Sequence, residues 1–223
     1  MAALPCQCRG LKPAMRAIRI ETIQPHHAVA LAQLQRDCFP TLAESELMNE
    51  RHFRRHCRLF PEGNFVALAG ERVIGLGSGF LTDFDFDDAQ HNFQEIIAGG
   101  WYSHHDPAGD WYYGGDISVH PDYRRRGVGS RLYAARKDIV QRLNRRGIVA
   151  GGLIPGFAAH KRAMSPQEYV DKVRQGQLRD STLSFQLGRG FVVRGLLRDY
   201  IEDEASDNWA TLIVWRNPAY RAV

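Results

Sequence analysis

The sequence contains no apolar run that approaches the roughly 20 residues needed by a membrane-spanning helix. The segment at 1–16 lacks the continuous apolar stretch of a secretory signal. Cysteine is scarce, with four in 223 residues. Without an export signal, these cysteines predict free thiols and not a disulfide framework. We therefore expect a cytoplasmic protein that does not enter the membrane.

Lysine is equally scarce, because only four of the 29 basic residues are lysine and the rest are arginine. Arginine suits planar contacts to phosphate and carboxylate groups. Against 25 acidic residues the net charge is +4, which permits an anionic ligand without requiring nucleic acid. The hydrophobic share of 44%, the charged share of 24% and the aromatic share of 10% exclude a disordered, collagenous or coiled-coil chain.

The length fits one domain with an insertion or a tail. Residues 1–14 show no hydrophobic periodicity and predict a flexible N-terminal extension, with Met15 as a candidate natural start. Residues 15–223 form the predicted single domain, with a helical insertion at about 156–178. The hydrophobic patterns predict strands at 15–24, 64–70, 71–81, 111–121, 147–155, 190–197 and 208–215.

Helix signals fall between these strands. Apolar spacing predicts one helix at 27–39 and a longer one at about 126–144. Thr41 and Glu44 fit a capping box and predict a second helix that runs to about Phe60. Shorter helices are predicted at about 91–98, at 165–176 after the capping box Ser165–Glu168, and at 180–187 with Asp180 as the cap.

The mixture of strands and helices along the chain predicts an α/β fold. The strand–helix–strand unit at 111–155 predicts a crossover between two parallel strands, which is right-handed in almost all proteins. Residues 82–110 are polar, aromatic and rich in turn residues, and they predict a long loop around the short helix.

The segment at 117–132, ISVHPDYRRRGVGSRL, combines a strand, a basic turn, two glycines and the start of a long helix. The first turn of a helix has unpaired N–H groups and a partial positive charge. Gly127 and Gly129 let the backbone approach a ligand, and the arginines at 124–126 add positive charge. The pattern predicts a pyrophosphate cradle whose spacing differs from the Walker loop and from the dinucleotide fingerprint.

This segment resembles the signature of the GNAT superfamily, the acetyl-CoA-dependent N-acetyltransferases. Arg124, Gly127 and Gly129 match the R-x-x-G-x-G phosphate motif of that family, and Gly190-Phe191 matches its late glycine–aromatic pair. The stretch from Trp111 to Tyr200, with GIVAGGLIPGF in its middle, further resembles acetyltransferase modules that are sometimes fused to a carbon–nitrogen hydrolase.

The resemblance implies a mixed, mostly antiparallel central sheet flanked by helices, with a helical insertion after the fifth strand. It also implies acetyl-CoA as the co-substrate and no metal. The strands at 111–119 and 147–154 would splay apart to admit the thioester, and the first of them would pair with the pantetheine arm. The cofactor-binding residues implied are Ile117, Ser118, Val119, Arg124, Arg125, Arg126, Gly127, Val128, Gly129 and Ser130.

The transfer chemistry needs a base, because an alkyl amine with a pKa near ~10 is mostly protonated at neutral pH. Asp116 is the first candidate, since strand alternation places it on the same face as Ser118 and His120. Glu95 is the second catalytic candidate, in the preceding loop. Further rival carboxylates are Asp83, Asp85, Asp87 and Asp88.

The general acid stays undecided. The family often has a tyrosine four residues before the late glycine, and this chain has Gln186 there. A glutamine side chain has no proton that titrates near neutral pH. The remaining candidates are Tyr112, Tyr113, Tyr200, water, and release of the thiolate without help.

Taken together, these features predict an acyl-CoA-dependent N-acyltransferase that transfers acetyl from acetyl-CoA directly to a primary amine in a ternary complex. The acceptor is a small-molecule or peptide amine, with the insertion at 156–178 and the loop at 82–110 as the walls of its site. The resemblance allows a homodimer, and we expect neither membrane nor nucleic-acid binding. Two alternatives stay open: a CoA-binding module without turnover, which Gln186 favours, and a nucleic-acid-binding domain that uses the arginine-rich helices.

Overall fold

A computed structural model describes residues 17–40 and 42–222. In these ranges seven strands form one sheet. The strands are β1 (Ile18–Thr22), β2 (Phe65–Ala69), β3 (Arg72–Thr82), β4 (Trp111–Val119), β5 (Gly147–Leu153), β6 (Val192–Leu197) and β7 (Ala210–Arg216). The α-helices are α1 (Ala28–Cys38), α2 (Glu50–Leu59), α3 (Phe93–Ile96), α4 (Val128–Arg142), α5 (Pro166–Arg174) and α6 (Leu183–Leu187). The predicted extension at 1–14 and the candidate start at Met15 lie outside the described residues.

The order of strands in the sheet is β1-β2-β3-β4-β5-β7-β6. Neighbouring strands are antiparallel except β4 and β5, which run parallel and are connected through α4. This arrangement confirms the predicted mixed α/β fold with a mostly antiparallel sheet. It also confirms the parallel crossover within 111–155.

Each face of the sheet carries its own hydrophobic core. On one face α1 and α2 bury Leu31 and Phe53 next to Phe80 of β3. On the opposite face α4 buries Leu132 and Ile139, and α5 packs into the same core. Because alternate residues of a strand point to opposite faces, the central strands contribute side chains to both cores.

The second helix begins later than predicted. α2 begins at Glu50, and the side chain of Asn49 accepts a hydrogen bond from the N–H of Arg51 at 2.9 Å. Glu44 lies instead in a single 3₁₀ turn, and the predicted cap Thr41 lies outside the described residues. An N-cap side chain satisfies the unpaired donors of the first turn, so Asn49 and not the capping pattern at 41–44 sets the start of this helix.

The predicted cap at Ser165 is present, whereas the last helix begins later than predicted, at Leu183 after the N-cap position Thr182. The Ser165 hydroxyl accepts from the N–H of Glu168 at 3.2 Å. Oδ1 of Asp180 accepts from two amides at the start of α6 at 2.8 Å, while its Oδ2 accepts from the Tyr169 hydroxyl at 3.0 Å. The insertion at 156–178 thereby braces the start of α6.

The strands β4 and β5 separate after a short paired region. Within the described residues, their pairing covers Trp111–Tyr113 of β4. The register between β3 and β4 then shifts next to Ser78, and Arg136 of α4 fills the gap. Its Nη2 donates to the carbonyl oxygen of Ser78 at 2.5 Å and also to that of Asp116. The predicted separation of the two strands is therefore present, and it opens a slot in the sheet.

In the described part of the chain, no helix combines the length and the apolar character needed to cross a membrane.

Across 17–40 and 42–222, His, Cys, Asp and Glu side chains do not converge in groups of three that could hold a metal ion. Cys38 and Cys57 have free thiols, and the other two cysteines lie outside the described residues.

Candidate active site

A cavity of about 150 Å³ lies where β4 and β5 diverge. Residues 114–117 of β4 and 150–153 of β5 form two of its sides. The other lining residues are Gln35, Phe39, Leu42, Glu46, Leu47, Phe93, Tyr133, Arg136, Thr182, Gln186, Tyr200 and Ile201. An apolar cavity with a few converging polar groups is the usual form of a small-molecule site.

Asp116 lies on β4 at the edge of this cavity. Its Oδ2 accepts hydrogen bonds from Nε2 of Gln35 at 2.8 Å and from the Ser118 hydroxyl at 3.1 Å. Burial raises the pKa of Asp116, whereas these two donors and the charge of Arg136 oppose the rise. A carboxyl group in this setting accepts and releases a proton more readily near neutral pH than an exposed aspartate does.

Arg136 is a buried cation below the slot, with 1% of its surface exposed. Its guanidinium lies 5.8 Å from the ring centroids of Tyr112 and Tyr133. Because it donates to the carbonyl group of Asp116, it holds β4 in the separated conformation. Our sequence reasoning missed this residue, although a charged residue four positions after Leu132 on the apolar stripe of α4 is a usable signal.

A groove of about 420 Å³ continues from the cavity toward the basic turn. Ile117, Ser118, Val119 and Arg124 line it, together with Cys38 of α1. Burial and the neighbouring charge of Asp116 raise the pKa of the Cys38 thiol to about 11, so this side chain stays a thiol. The groove places the predicted strand residues next to the first predicted arginine.

The predicted cradle residues lie at the start of α4. The arginines at 124–126 are exposed, and Nε of Arg124 donates to the carbonyl oxygen of Val119 at 3.1 Å. The guanidinium of Arg126 lies 5.2 Å from the centroid of the Tyr123 ring. Val128 is buried, and Ser130 is half-buried in the first turn. The structure thus brings the ten predicted cofactor residues together along one groove and one helix start.

The two glycines of the motif, Gly127 and Gly129, are required for different structural reasons. Gly127 has a φ of 79°, the left-handed region that favours glycine, and no heavy atom of the described residues lies within 4 Å of a Cβ placed there. A Cβ at Gly129 would lie 3.2 Å from the Phe185 ring, so this glycine makes room for α6. Gly127 therefore leaves open backbone, and Gly129 serves packing.

Glu95 lies away from the cavity. It is exposed in the first turn of α3, where its side chain accepts from the N–H of Asn92 at 3.1 Å. It borders a separate cleft of about 380 Å³ that also contains His91. Of the described residues, the rival carboxylates at 83–88 do not line the cavity either. The structure therefore brings Asp116 to the slot, but not the other carboxylates considered.

The three candidate tyrosines have different surroundings. Tyr200 lines the cavity, and its hydroxyl oxygen lies 3.1 Å from that of Tyr113. Tyr112 points to the opposite face of the sheet and donates to the carbonyl oxygen of Gly63 at 2.8 Å. Among these three, Tyr200 has direct access to the cavity.

Gln186 occupies the position at which the family often has a tyrosine. It is 4% exposed, and its Nε2 donates to the Tyr133 hydroxyl at 3.4 Å. Its Oε1 is buried without a hydrogen-bond partner among the described residues. Tyr133, which sequence reasoning missed, is thus a further hydroxyl in the cavity wall.

The two segments predicted as acceptor walls contribute little to the cavity. Of the described residues at 156–178, none lines the cavity, and the loop at 82–110 contributes Phe93. Other walls of the cavity come from α1 and the segment after it, through Gln35, Phe39, Leu42, Glu46 and Leu47, and from Tyr200 and Ile201. The insertion packs on the core around α4 and so does not reach the slot.

The chain belongs to the GNAT acetyltransferases. The model of this family, described as the acetyltransferase (GNAT) family, matches residues 28–152. That range includes both the basic turn and the separated half of β4.

Two relatives from Bacillus subtilis (strain 168) are similar over most of the chain. The probable hydrolase YhcX is 39% identical over 202 residues, which cover 90% of this chain and 39% of YhcX. The uncharacterized N-acetyltransferase YkwB is 33% identical over 194 residues, which cover 86% of this chain and 85% of YkwB. The chain thus spans about two fifths of the length of the first relative, which agrees with the predicted likeness to modules fused to a hydrolase.

Among solved structures, the GNAT-like decarboxylase GphF in complex with isobutyryl-CoA is similar with a TM-score of 0.76. The sequence identity is 22%, and the match covers 89% of this chain and 99% of that chain. At this identity the likeness shows the fold alone.

Proposed function

We propose that this chain is an acyl-CoA-dependent N-acyltransferase that moves an acetyl group from acetyl-CoA to a primary amine by direct attack in a ternary complex. The observation that carries the proposal is the continuous path from the basic turn, along the open edge of β4, to the cavity that holds Asp116. Membership of the GNAT family, and the fold shared with a protein that binds isobutyryl-CoA, support an acyl-CoA donor.

In this proposal the start of α4 binds the diphosphate of the donor. The open backbone at Gly127 and the exposed arginines at 124–126 fit a dianionic group, because backbone amides and guanidinium groups donate hydrogen bonds to phosphate oxygens and the guanidinium groups add positive charge. The pantetheine arm lies in the groove beside Ile117–Val119, whose edge is not paired with β5 in the described residues. A backbone N–H on this edge polarises the thioester carbonyl.

Asp116 is the proposed base. It accepts a proton from the attacking nitrogen and passes it to the departing thiolate. The burial that raises its pKa supports both halves of this role. Glu46, which also lines the cavity, adds negative charge for a cationic acceptor. The acceptor is a small-molecule or peptide amine; the homodimer and the cytoplasmic location stay predictions.

The test is thiol release from acetyl-CoA with a panel of primary amines: alkylamines, diamines, amino acids and peptides with a free N-terminus. We expect thiol release that depends on one amine class, with the acetylated amine identified by mass spectrometry. Isobutyryl-CoA in a parallel series measures the preference for the acyl group.

One observation favours the second candidate, a CoA-binding module without turnover: Gln186 places an amide where a titratable hydroxyl is expected. The binding module predicts saturable binding of acetyl-CoA in calorimetry and no thiol release with any amine. Binding without thiol release would contradict the proposed transferase. Absence of binding would contradict the proposed donor site as well.

A further inference from the structure

Two buried tyrosines connect the cavity with the separate cleft on the surface. Tyr200 lines the cavity, and its hydroxyl oxygen lies 3.1 Å from that of Tyr113. The Tyr113 hydroxyl lies 2.7 Å from Nε2 of His91, and His91 lines the outer cleft. Three titratable side chains thus form a hydrogen-bonded chain from the cavity to the outer cleft.

The direction of this chain follows from the histidine. Nδ1 of His91 lies 2.8 Å from the carbonyl oxygen of Ala89, which can only accept, so Nδ1 carries the proton. Nε2 of the neutral ring is then an acceptor, and Tyr113 donates to it. The Tyr113 oxygen in turn accepts from Tyr200. Both tyrosine hydroxyl groups thus donate toward the outer cleft, and the Tyr200 oxygen is left to accept a proton from the cavity.

The surroundings keep the three groups in their neutral forms. Burial lowers the pKa of His91, so its ring is neutral at neutral pH and can receive a proton. Burial raises the pKa of Tyr113 and of Tyr200, so both keep their hydroxyl protons. The titratable and charged groups facing this chain are Tyr102, Asp116, Glu95, Arg198 and Asp199.

The path depends on a glycine of β5. A Cβ at Gly151 would collide with the ring of Tyr200. Tyr200 lies outside the strands, and this glycine lets its ring reach the floor of the slot. The tyrosine that ends the paired part of β4, Tyr113, is then within hydrogen-bond distance.

The proposed reaction leaves one proton to be exported. A protonated amine gives up two protons when it becomes an amide, since three N–H bonds become one. One of these protons reaches the sulfur of coenzyme A through Asp116. The other has to leave the cavity, whose lining surface is mainly apolar.

We propose that Tyr200, Tyr113 and His91 are a proton relay that carries this second proton from the cavity to the outer cleft, an inference that rests on the proposed function. As the ammonium group releases a proton to the Tyr200 oxygen, the Tyr200 proton moves to Tyr113 and the Tyr113 proton moves to Nε2 of His91. The imidazolium then loses its Nδ1 proton to water in the outer cleft. Exchange with water returns the neutral ring to the Nδ1–H tautomer as the two hydroxyl groups reorient. The relay residues are unchanged after each turnover.

Tyr113→Phe tests the relay, because it removes the middle hydroxyl and keeps the ring. We expect kcat at neutral pH to fall at least tenfold, with an unchanged KM for acetyl-CoA. The dependence of kcat on the deuterium fraction of the solvent should be curved in the wild type and linear in this variant, because several protons move together only through an intact relay. Tyr112→Phe is the control, since its buried hydroxyl on the same strand bonds to Gly63.

A second variant covers the case in which Tyr113→Phe does not fold. His91 is half-buried beside the outer cleft, so His91→Ala leaves space for a free imidazole molecule. We expect a loss of kcat that added imidazole restores, an effect that a merely structural role would not show. Independently of activity, ¹⁵N spectra of the His91 ring should show the Nδ1–H tautomer and a change at Nε2 in Tyr113→Phe.

Equal kcat and equal solvent dependence in the Tyr113 and Tyr112 variants would overturn the relay and leave the transferase standing. So would an Nε2–H tautomer of His91 in the wild type. Absence of any acyl transfer by the wild type would overturn the proposed function, and the relay with it.

Discussion

The two halves of β4 have different neighbours, although they belong to one continuous strand. Residues 111–113 pair with β3 on one side and with β5 on the other. Their side chains are buried, with Tyr112 and Tyr113 in opposite cores. Residues 114 and 116–119 pair with β3, and in the described residues the other edge of this half faces the cavity and the groove instead of a strand.

The difference shows how two diverging strands can open a cavity within a sheet. Where β5 is adjacent, β4 is paired with a strand on both edges. Where β5 turns away, that edge of β4 has no strand partner in the described residues. An extended ligand can pair with a free strand edge of this kind. Arg136 compensates for the missing strand pairing, because it donates hydrogen bonds to carbonyl groups at the register shift.

The largest expected effect is on chemistry in the open half. Asp116→Asn removes the proposed base, and general-base catalysis contributes about a hundredfold to ten-thousandfold. We therefore expect kcat for acetyl transfer to fall by about a thousandfold, with little change in acetyl-CoA binding. The measurement is thiol release with the preferred amine. Asp122→Asn is the control because its side chain is 72% exposed, and an equal rate in both variants would place the base elsewhere.

The next largest effect is expected on stability, at Arg136, which holds the open half of β4 in place. Arg136→Met leaves two carbonyl groups without their donor inside the protein, so we expect the free energy of unfolding to fall by about 3 kcal/mol. Urea unfolding followed by fluorescence measures it. Arg142→Met on the same helix is the control, because Arg142 is 59% exposed in an i,i+4 ion pair. A similar small loss in both would show that the separation does not depend on Arg136.

A smaller effect is expected at the end of the groove. Arg124→Glu reverses a charge next to the proposed diphosphate site, and we expect CoA to bind about tenfold more weakly at low salt. Calorimetry at two salt concentrations measures the change, which should shrink as salt screens the charge. Arg142→Glu makes the same charge reversal at the other end of α4. If both variants bind CoA equally well, the diphosphate does not lie at the start of this helix.

The smallest expected effect is a shift in pH dependence. Gln35 donates to the carboxylate of Asp116, which favours its charged form and lowers its pKa. Gln35→Leu removes this donor, so the pKa of Asp116 rises and the increase of kcat/KM with pH should move to higher pH. Gln33→Leu, at an exposed position of the same helix, should leave the profile in place. A shift to lower pH would contradict the assignment of Asp116.

Local sequence signals predicted the structure correctly where both partners of an interaction are close in the chain. The cap at Ser165 has its partner three residues later, and Gly127 needs its left-handed backbone whatever packs around it. The start of α2 was predicted wrongly because a second capping residue, Asn49, follows the first signal. No local signal indicates that α1 and residues 42–47 line the cavity while residues 156–178 do not.

The sequence by itself determined the family, the order of the elements, the basic helix start and the face of β4 that carries Asp116. The tertiary structure decided what surrounds that carboxylate: Gln35 comes from 81 residues away, Arg136 from the next helix and Tyr200 from the segment after β6. The physical reason is that periodicity records which face a side chain takes. Desolvation, hydrogen bonding and proton paths depend instead on groups that meet only when distant segments pack together.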